Sequence, residues 1–394
     1  MRIAIACMSS NQPEGGVANV VHNTAQALRS RGHEVTCLFS EDVLPSPPPI
    51  SRFHAVYFSY RLAKILSRRR NEFDVAVIHA PGGFIYGSLR SFWRGADGLP
   101  PYVMFLHGIE ERRVYTMERE AKKGRAWYFR WKNRVWQRIY HMPLYRWCIQ
   151  TADHAVVINW ETWTMLQLKY GREIGSVWYV PNGVENRFFI QREFSSGDAP
   201  RLLFVGGWLD HKGVYYLRDG FEDLAKRVPE ARLTIAGCSA SAETVRDFFP
   251  AAVRDRLDIL PFVPREDMPS LYARHDLFVF PSLFEGMPIV LLEAMATGMS
   301  VVTTETCGMK DIVEDEYNGL LVKPADTPAF VAATERMIHC GELRARLGRE
   351  AQQSMRRYGW DQVAARLDEV LQLAAQRDGK GTAGRPHFST TTSE

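Results

Sequence analysis

Short apolar runs of about five residues, each followed by apolar residues at helical spacing, recur along almost the whole chain, and this alternation sets the fold class. Arg2 to Cys7 forms the first such run. Val17, Val20, Val21, Ala25 and Leu28 then recur at helical intervals up to Gly32, and His33 to Phe39 reads as the next strand. A strand–helix–strand unit of this kind joins parallel strands. Strands over Asp74–Ile78, Tyr102–Leu106 and about 154–158 continue the series, and the turn Val180-Pro181-Asn182-Gly183 closes it. Leu44 to Ser51, with four prolines, reads as an irregular loop, and Ser195 to Pro200 as a linker. A second series follows, with strands over Leu202–Val205, Leu233–Ala236, Leu257–Leu260, Leu277–Phe280, Ser300–Thr304 and Leu320–Val322. A last amphipathic helix is expected from about Trp360 to Ala375, before a Gly/Thr/Ser-rich tail over 377–394 that is expected to be disordered. The fold class is therefore α/β, two Rossmann-like domains in tandem over 1–183 and 184–359. Open α/β sheets bind ligands beyond the carboxyl ends of their strands, so two such domains facing each other place the chemistry in the cleft between them.

Composition removes several other readings. With 46% hydrophobic and 24% charged residues over 394 positions, the chain has the make-up of a globular protein. Basic and acidic residues nearly balance, 49 against 45, so the overall charge gives no reason to expect a nucleic-acid partner. No apolar run approaches the ~18 residues of a membrane span. Met1 to Ala6 is read as a first strand and not as a leader. The six cysteines are scattered without C-x-x-C spacing, which argues against a zinc site or a disulfide framework and leads us to expect a cytoplasmic protein. Gly15-Gly16 precedes a helix, but the dinucleotide G-x-G-x-x-G fingerprint is missing, so no nicotinamide cofactor is expected. No D-x-D pair or His/Asp cluster has ligand spacing, and Asp311 and Asp315 read as solvated positions on a helix, so no metal is expected either.

The most informative stretch runs from Phe280 to Ala296. A buried strand ends at Phe280, a loop carries Glu285 and Gly286, Pro288 suits a helix start, and Gly298 ends that helix. Glu285 then lies outside a strand end and Glu293 in the second helical turn, while the free N–H groups of the helix start face the same cleft. A carboxylate there can hold two sugar hydroxyls at once. At these residues the chain resembles the retaining glycosyltransferases of family 4, which have the GT-B fold and carry two glutamates separated by seven residues, matched here by Glu285 and Glu293. Gly15-Gly16, His107-Gly108, Val180 to Val184 and Lys212-Gly213 extend the match along much of the chain.

The resemblance implies a nucleotide-diphosphate sugar donor, UDP- or GDP-linked, bound mainly by the second domain, with no cofactor beyond this co-substrate. Glu293 would hydrogen-bond the ribose, and Glu285 would lie beside the donor sugar. The backbone of Gly286, Met287, Pro288 and Ile289 would hold sugar and diphosphate, with Gly206 and Gly15-Gly16 approaching the same ligand. Lys212 would neutralise the leaving diphosphate, and His107 would reach the sugar from the first domain; His79, which ends the neighbouring strand, reads as structural. The helix over 360–376 would cross back onto the first domain. The implied reaction is metal-independent hexosyl transfer with retention to a hydroxyl acceptor, a glycan or lipid-linked glycan of surface polysaccharide assembly. One departure from the family pattern stands out: Gly207 occupies the position of the usual Arg before Lys212, and Arg187 and His211 are the candidate substitutes.

Residues 112–146 hold eleven Lys and Arg against two Glu, interleaved with aromatics. A helix from Trp127 onward would align Trp127, Trp131, Val135 and Ile139 in one stripe and Arg130, Arg134 and Arg138 in the next. Either this segment, over 112–147, docks on an anionic membrane and presents a lipid-linked acceptor, or its apolar stripe packs on the first sheet and its arginines are solvated. Two alternatives to the enzyme remain open at this point. One is a non-catalytic membrane-associated scaffold that has lost its donor clamp at Gly207. The other is a sugar-nucleotide epimerase of the same fold.

Overall fold

The computed structural model describes residues 1–12, 16–44, 53–92, 98–127, 129, 131–193 and 201–377. The loop expected over 45–51, the linker over 195–200 and the tail beyond 377 lie outside these residues. Twelve strands form two six-stranded sheets. The first contains β1 (Arg2–Ala6), β2 (Glu34–Leu38), β3 (Val75–His79), β4 (Tyr102–Leu106), β5 (His154–Val157) and β6 (Val177–Tyr179), in the order β2-β1-β3-β4-β5-β6. The second contains β7 (Arg201–Val205), β8 (Arg232–Ala236), β9 (Leu257–Leu260), β10 (Leu277–Phe280), β11 (Ser300–Thr304) and β12 (Leu320–Val322), in the order β12-β11-β10-β7-β8-β9. The pairings are parallel; Ile3, for example, stands opposite both Val35 and Val75. In each sheet the strand order reverses beside the first strand, β1 or β7, and the cleft opens at that point.

The strands form where the sequence predicts them because each is an apolar run flanked by helices on both faces. All five residues of β3 and of β4 are buried. β6 was not expected as a strand. It has three residues, two of them the bulky Trp178 and Tyr179, and is too short for periodicity to register.

The final helix, Trp360–Arg377, extends two residues beyond the expected end and returns to the first domain. It packs against helix Gly16–Ser30 and against β3 and β4. Leu367 and Leu371 are fully buried there, and the buried Asp368 accepts from Arg31 at 3.2 Å and lies 3.0 Å from His33. The chain thus crosses between domains twice. The two crossings lie side by side: Val184 N donates to Tyr358 O at 2.8 Å, Val184 bridges to Gly359, and the Trp360 indole packs against Gly183.

Candidate active site

The second domain supplies one wall of the cleft. The loop after β10 carries Glu285, whose carboxylate accepts from Lys212 Nζ at 2.6 Å and from Ser282 Oγ at 3.0 Å. Both members of this pair are largely buried, Lys212 18% and Glu285 11% exposed. Lys212 ends the short turn Asp210–Lys212 and is followed by Gly213 at φ 73°. That left-handed residue lies so close to the carbonyl of Pro281 that a Cβ would collide with it, so the lysine turn and the glutamate loop fit together only with glycine here. Gly206, at φ 150°, packs beside the Lys212 stem.

Pro288 caps the helix Ile289–Ala296, one position earlier than expected, and Thr297 and Gly298 end it. Glu293 is fully buried in the second turn. Its carboxylate lies 2.7 Å from Arg265 Nη2 and accepts from the Tyr272 hydroxyl at 3.0 Å. Burial pushes the Glu293 carboxyl above the usual range, while Arg265 opposes the shift. Arg265 also holds Glu185 at 2.6 Å, so one guanidinium joins two acids. Arg265 was missed in the sequence. Its only signal was a basic residue in the loop that follows β9, and nothing there announces a partner on a different loop.

Of the two candidate substitutes for the missing Arg at Gly207, His211 does not supply a positive charge. Burial, Lys212 and Arg113 push the His211 imidazole down to about 3, so at neutral pH it carries no charge. Arg187 pairs with Glu185 at 2.9 Å, the acid that Arg265 also holds. The reading of Asp311 and Asp315 as solvated helix positions holds in part: Asp311 is on a helix and Asp315 is exposed. Asp311 is half-buried and accepts from Trp160 N at 2.8 Å across the domains, and Asp315 lies outside the helix and accepts from Leu321 N. Among the described residues no three His, Cys, Asp or Glu side chains converge as a metal-ligand group.

The first domain supplies the other wall. His79 and His107 end the neighbouring strands β3 and β4, and His79 Nδ1 lies 2.7 Å from His107 Nε2. Burial pushes His107 down to about 4 and His79 well below its ordinary value, the latter with help from His107. Two neutral rings share one proton at this contact, which leaves His107 Nδ1 as the ring nitrogen outside it. His79 stacks on Phe105 at 4.7 Å and holds His107 in place.

The two walls touch. The His107 carbonyl presses on Gly286 so closely that a Cβ there would collide with it. Asn159 Nδ2 donates to Gly286 O at 3.0 Å, and Asn182 Nδ2 to Met287 O at 2.9 Å. Asn159 and Asn182 therefore clamp the loop over 281–288 from the first domain. Asn182 belongs to the quoted turn, but Asn159 was missed because its partner lies 127 residues away. Gly16 begins its helix at the carboxyl end of β1 in open space, while Gly15 lies outside the described residues.

The basic segment differs from expectation. The single helix from Trp127 does not form. The helical run begins at Trp131, passes through a π turn over Gln137–His141 and continues as Met142–Thr151. Trp127 lies before it and packs on Tyr215 and Phe248 of the second domain, ring centroids 5.3 and 5.5 Å away, so it is an interdomain contact. Part of the positive charge has the same use. Arg125 pairs with Asp219 at 2.8 Å, and Tyr216 donates to the buried Glu120 at 2.6 Å. Arg138 pairs with Glu118 at 2.8 Å, Arg134 is half-buried, and Arg130 lies outside the described residues. The other reading of the stripe, packing on the first sheet, is also corrected: Trp131, Val135 and Ile139 are 63%, 48% and 68% exposed. Among the described residues no helix is long and apolar enough to cross a membrane.

Comparison with known proteins agrees with this geometry. The first half, residues 14–187, matches the family described as Glycosyltransferase Family 4, and residues 185–354 match Glycosyl transferases group 1. A D-inositol 3-phosphate glycosyltransferase of Xylanimonas cellulosilytica is 30% identical over 248 residues, covering 58% of this chain and 59% of that protein. The chain spans about half the length of the curated relatives it matches. Among solved structures, a sucrose-phosphate synthase of Thermosynechococcus elongatus superposes with a TM-score of 0.75 at 17% identity, covering 96% of this chain and 100% of that one. Anabaena HepE, solved in complex with UDP-glucose, superposes with a TM-score of 0.69 at 17% identity, covering 95% and 100%. These likenesses identify the two-domain architecture as the GT-B fold.

Proposed function

Because the chain belongs to the family 4 and group 1 glycosyltransferases, whose two models together run from residue 14 to residue 354, we propose that it transfers a hexose from a UDP- or GDP-linked sugar to a hydroxyl acceptor with retention of configuration. The observation that carries this reading is the buried Lys212–Glu285 pair at the start of helix Ile289–Ala296, closed over by the His107 wall. In the reaction the bond from the sugar's anomeric carbon to the diphosphate breaks, and a bond to the acceptor oxygen forms. Negative charge gathers on the departing phosphate. Lys212 and the free N–H groups of the helix start supply the compensating charge inside a cleft from which water is largely excluded. When diphosphate takes Lys212, Glu285 is released to face the sugar. Glu293, held by Arg265 and Tyr272, is assigned to the ribose hydroxyls. His107, neutral and fixed by His79, offers its second nitrogen to the sugar or the acceptor. No metal is assigned a part. The relative solved with UDP-glucose supports the donor class. The intact Lys212–Glu285 pair supports an enzyme over a scaffold. The exposed Trp131–Val135–Ile139 stripe, edged by Lys132 and Arg138, supports a peripheral position on an anionic membrane and an acceptor in surface-glycan assembly.

Thermal unfolding with UDP, GDP and ADP, each at about 1 mM, tests the reading. One nucleotide should stabilise the wild type by about 2.7 kcal/mol if present at ~100 times its dissociation constant. Glu293→Gln, which keeps the shape around Arg265, should lose most of that shift. No shift with any nucleotide would overturn the donor assignment.

A further inference from the structure

On the outer face of the first domain, helices Phe84–Phe92 and Met142–Thr151 leave between them an open apolar groove of about 900 Å³. Phe84, Ile85, Leu89, Phe92, Leu144 and Trp147 line it. Phe92 is 69% and Trp147 49% exposed, a large apolar area for a monomer to leave in water. The wall is nonetheless ordered, since Trp147 Nε1 donates to Ser88 Oγ at 2.7 Å.

Topology gives the groove a direction. Helix Phe84–Phe92 follows β3 and starts at its carboxyl end, at the cleft. Helix Met142–Thr151 leads into the amino end of β5, so its first residues are the ones nearer the cleft. Met142 lies beside Ile109 and Glu110, two and three residues after His107, and packs against a cluster that includes Val114, Met117, Tyr216 and Leu283. One residue on, Pro143 enters the groove. The cleft end is polar. Gln137 of the π turn, with its amide turned to satisfy both partners, donates to Glu110 at 2.7 Å and accepts from Arg113 at 3.1 Å. Arg113 is also close enough to His211, across the cleft, to depress its protonation. Along the outer side, the exposed stripe Trp131, Val135 and Ile139 runs into Pro143, Leu144 and Trp147, with Lys132, Arg134, Arg138 and Arg146 on the same helical run.

The geometry points to an acceptor that is an amphiphile: its hydroxyl-bearing head sits beside His107, Glu110 and Arg113, and its hydrocarbon chain lies in the groove between the two helices. The inference rests on the glycosyltransferase reading and narrows its acceptor to a lipid-linked compound. Arg113 pairs with Glu110 and Arg138 with Glu118, so the head site is polar without net charge, while the apolar trough takes a single chain and begins where transfer would occur.

The probe is a palmitoyl lysophosphatidylglycerol carrying a nitroxide near the chain end, used below its micelle concentration, and the readout is quenching of Trp147. This signal is the difference between wild type and Trp147→Phe. The monomeric probe should quench wild type saturably. Phe92→Asp, at a site too exposed to threaten folding, and Leu144→Asp should each bind it at least about tenfold more weakly, since a carboxylate would have to be desolvated by the chain. Both variants should keep the wild-type thermal shift with UDP or GDP. Absence of quenching, equal affinity in the variants, or quenching only by phosphatidylglycerol vesicles would overturn the groove assignment. The last result would leave a membrane-contacting face without a chain site. A nucleotide shift without quenching sinks the groove and spares the donor reading; quenching without any nucleotide shift does the reverse.

Discussion

In the proposed reaction, Lys212 and the histidine pair are the residues on which the chemistry depends most directly. Lys212 is the cation paired with Glu285 in a largely dry position, where a fixed charge counts for more than in water. Lys212→Met should lower kcat by about 10²–10³, equivalent to ~3–4 kcal/mol of transition-state stabilisation, while the unfolding temperature shows that the fold survives. An unchanged kcat in a steady-state donor assay would remove Lys212 from the mechanism. The histidines make a prediction about pH. Their protonation is depressed in the folded state, His107 to about 4 against an ordinary 6.5. The unfolded chain therefore binds more protons between those values. The stability associated with the neutral pair is complete above pH 6.5 and is lost as the pH falls toward about 4, with a slope near 1.4 kcal/mol per pH unit for each histidine. Urea midpoints at pH 7 and pH 5 should differ less in His79→Phe than in wild type. The roles of Glu285, Glu293 and Lys212 came from the family resemblance, while their places in a strand-end loop, a helix start and a short turn were legible because such positions can be read locally. Arg265 and the His79–His107 contact were not, since each depends on which strands and loops become neighbours.

Among elements, the donor loop over 281–288 is the piece on which both domains converge. Gly286 lies under the His107 carbonyl, and Asn159 and Asn182 hold the next carbonyls. Gly286→Ala should push the first domain off the loop. Since displacement by about 1 Å can cost 10²-fold in rate, kcat/KM should fall by roughly that factor while each domain keeps its own unfolding transition. Retention of wild-type kcat/KM would show that the observed contact is not the reactive arrangement. Elements also show where periodicity misleads. Trp127 continues the i+4 spacing of Trp131 and Val135, so the sequence extends the helix to it. Tyr215 and Phe248 offer that indole more burial than a helix end would, and tertiary contact wins over local pattern. The opposite error hid β6, where three residues suffice because β5 is already there to pair with.

Across the whole molecule, the two sheets followed from the strand series, but how they meet did not, because that is decided by single contacts such as Arg125–Asp219 and Trp160–Asp311. The helix Trp360–Arg377 ties the chain's end to its beginning. Leu367→Ala should cost about 2–5 kcal/mol in the first domain's transition by calorimetry and leave nucleotide binding by the second domain unchanged. Equal destabilisation of both transitions would mean that the helix serves the second domain as well.

That helix has a further consequence for synthesis. The face of Gly16–Ser30 that it covers is made before the second domain, and its cover after it. During translation helix Gly16–Ser30 emerges before the helix that packs against it exists. Helix Trp360–Arg377 is made only after the whole of the second domain, so this side of the first domain is covered last.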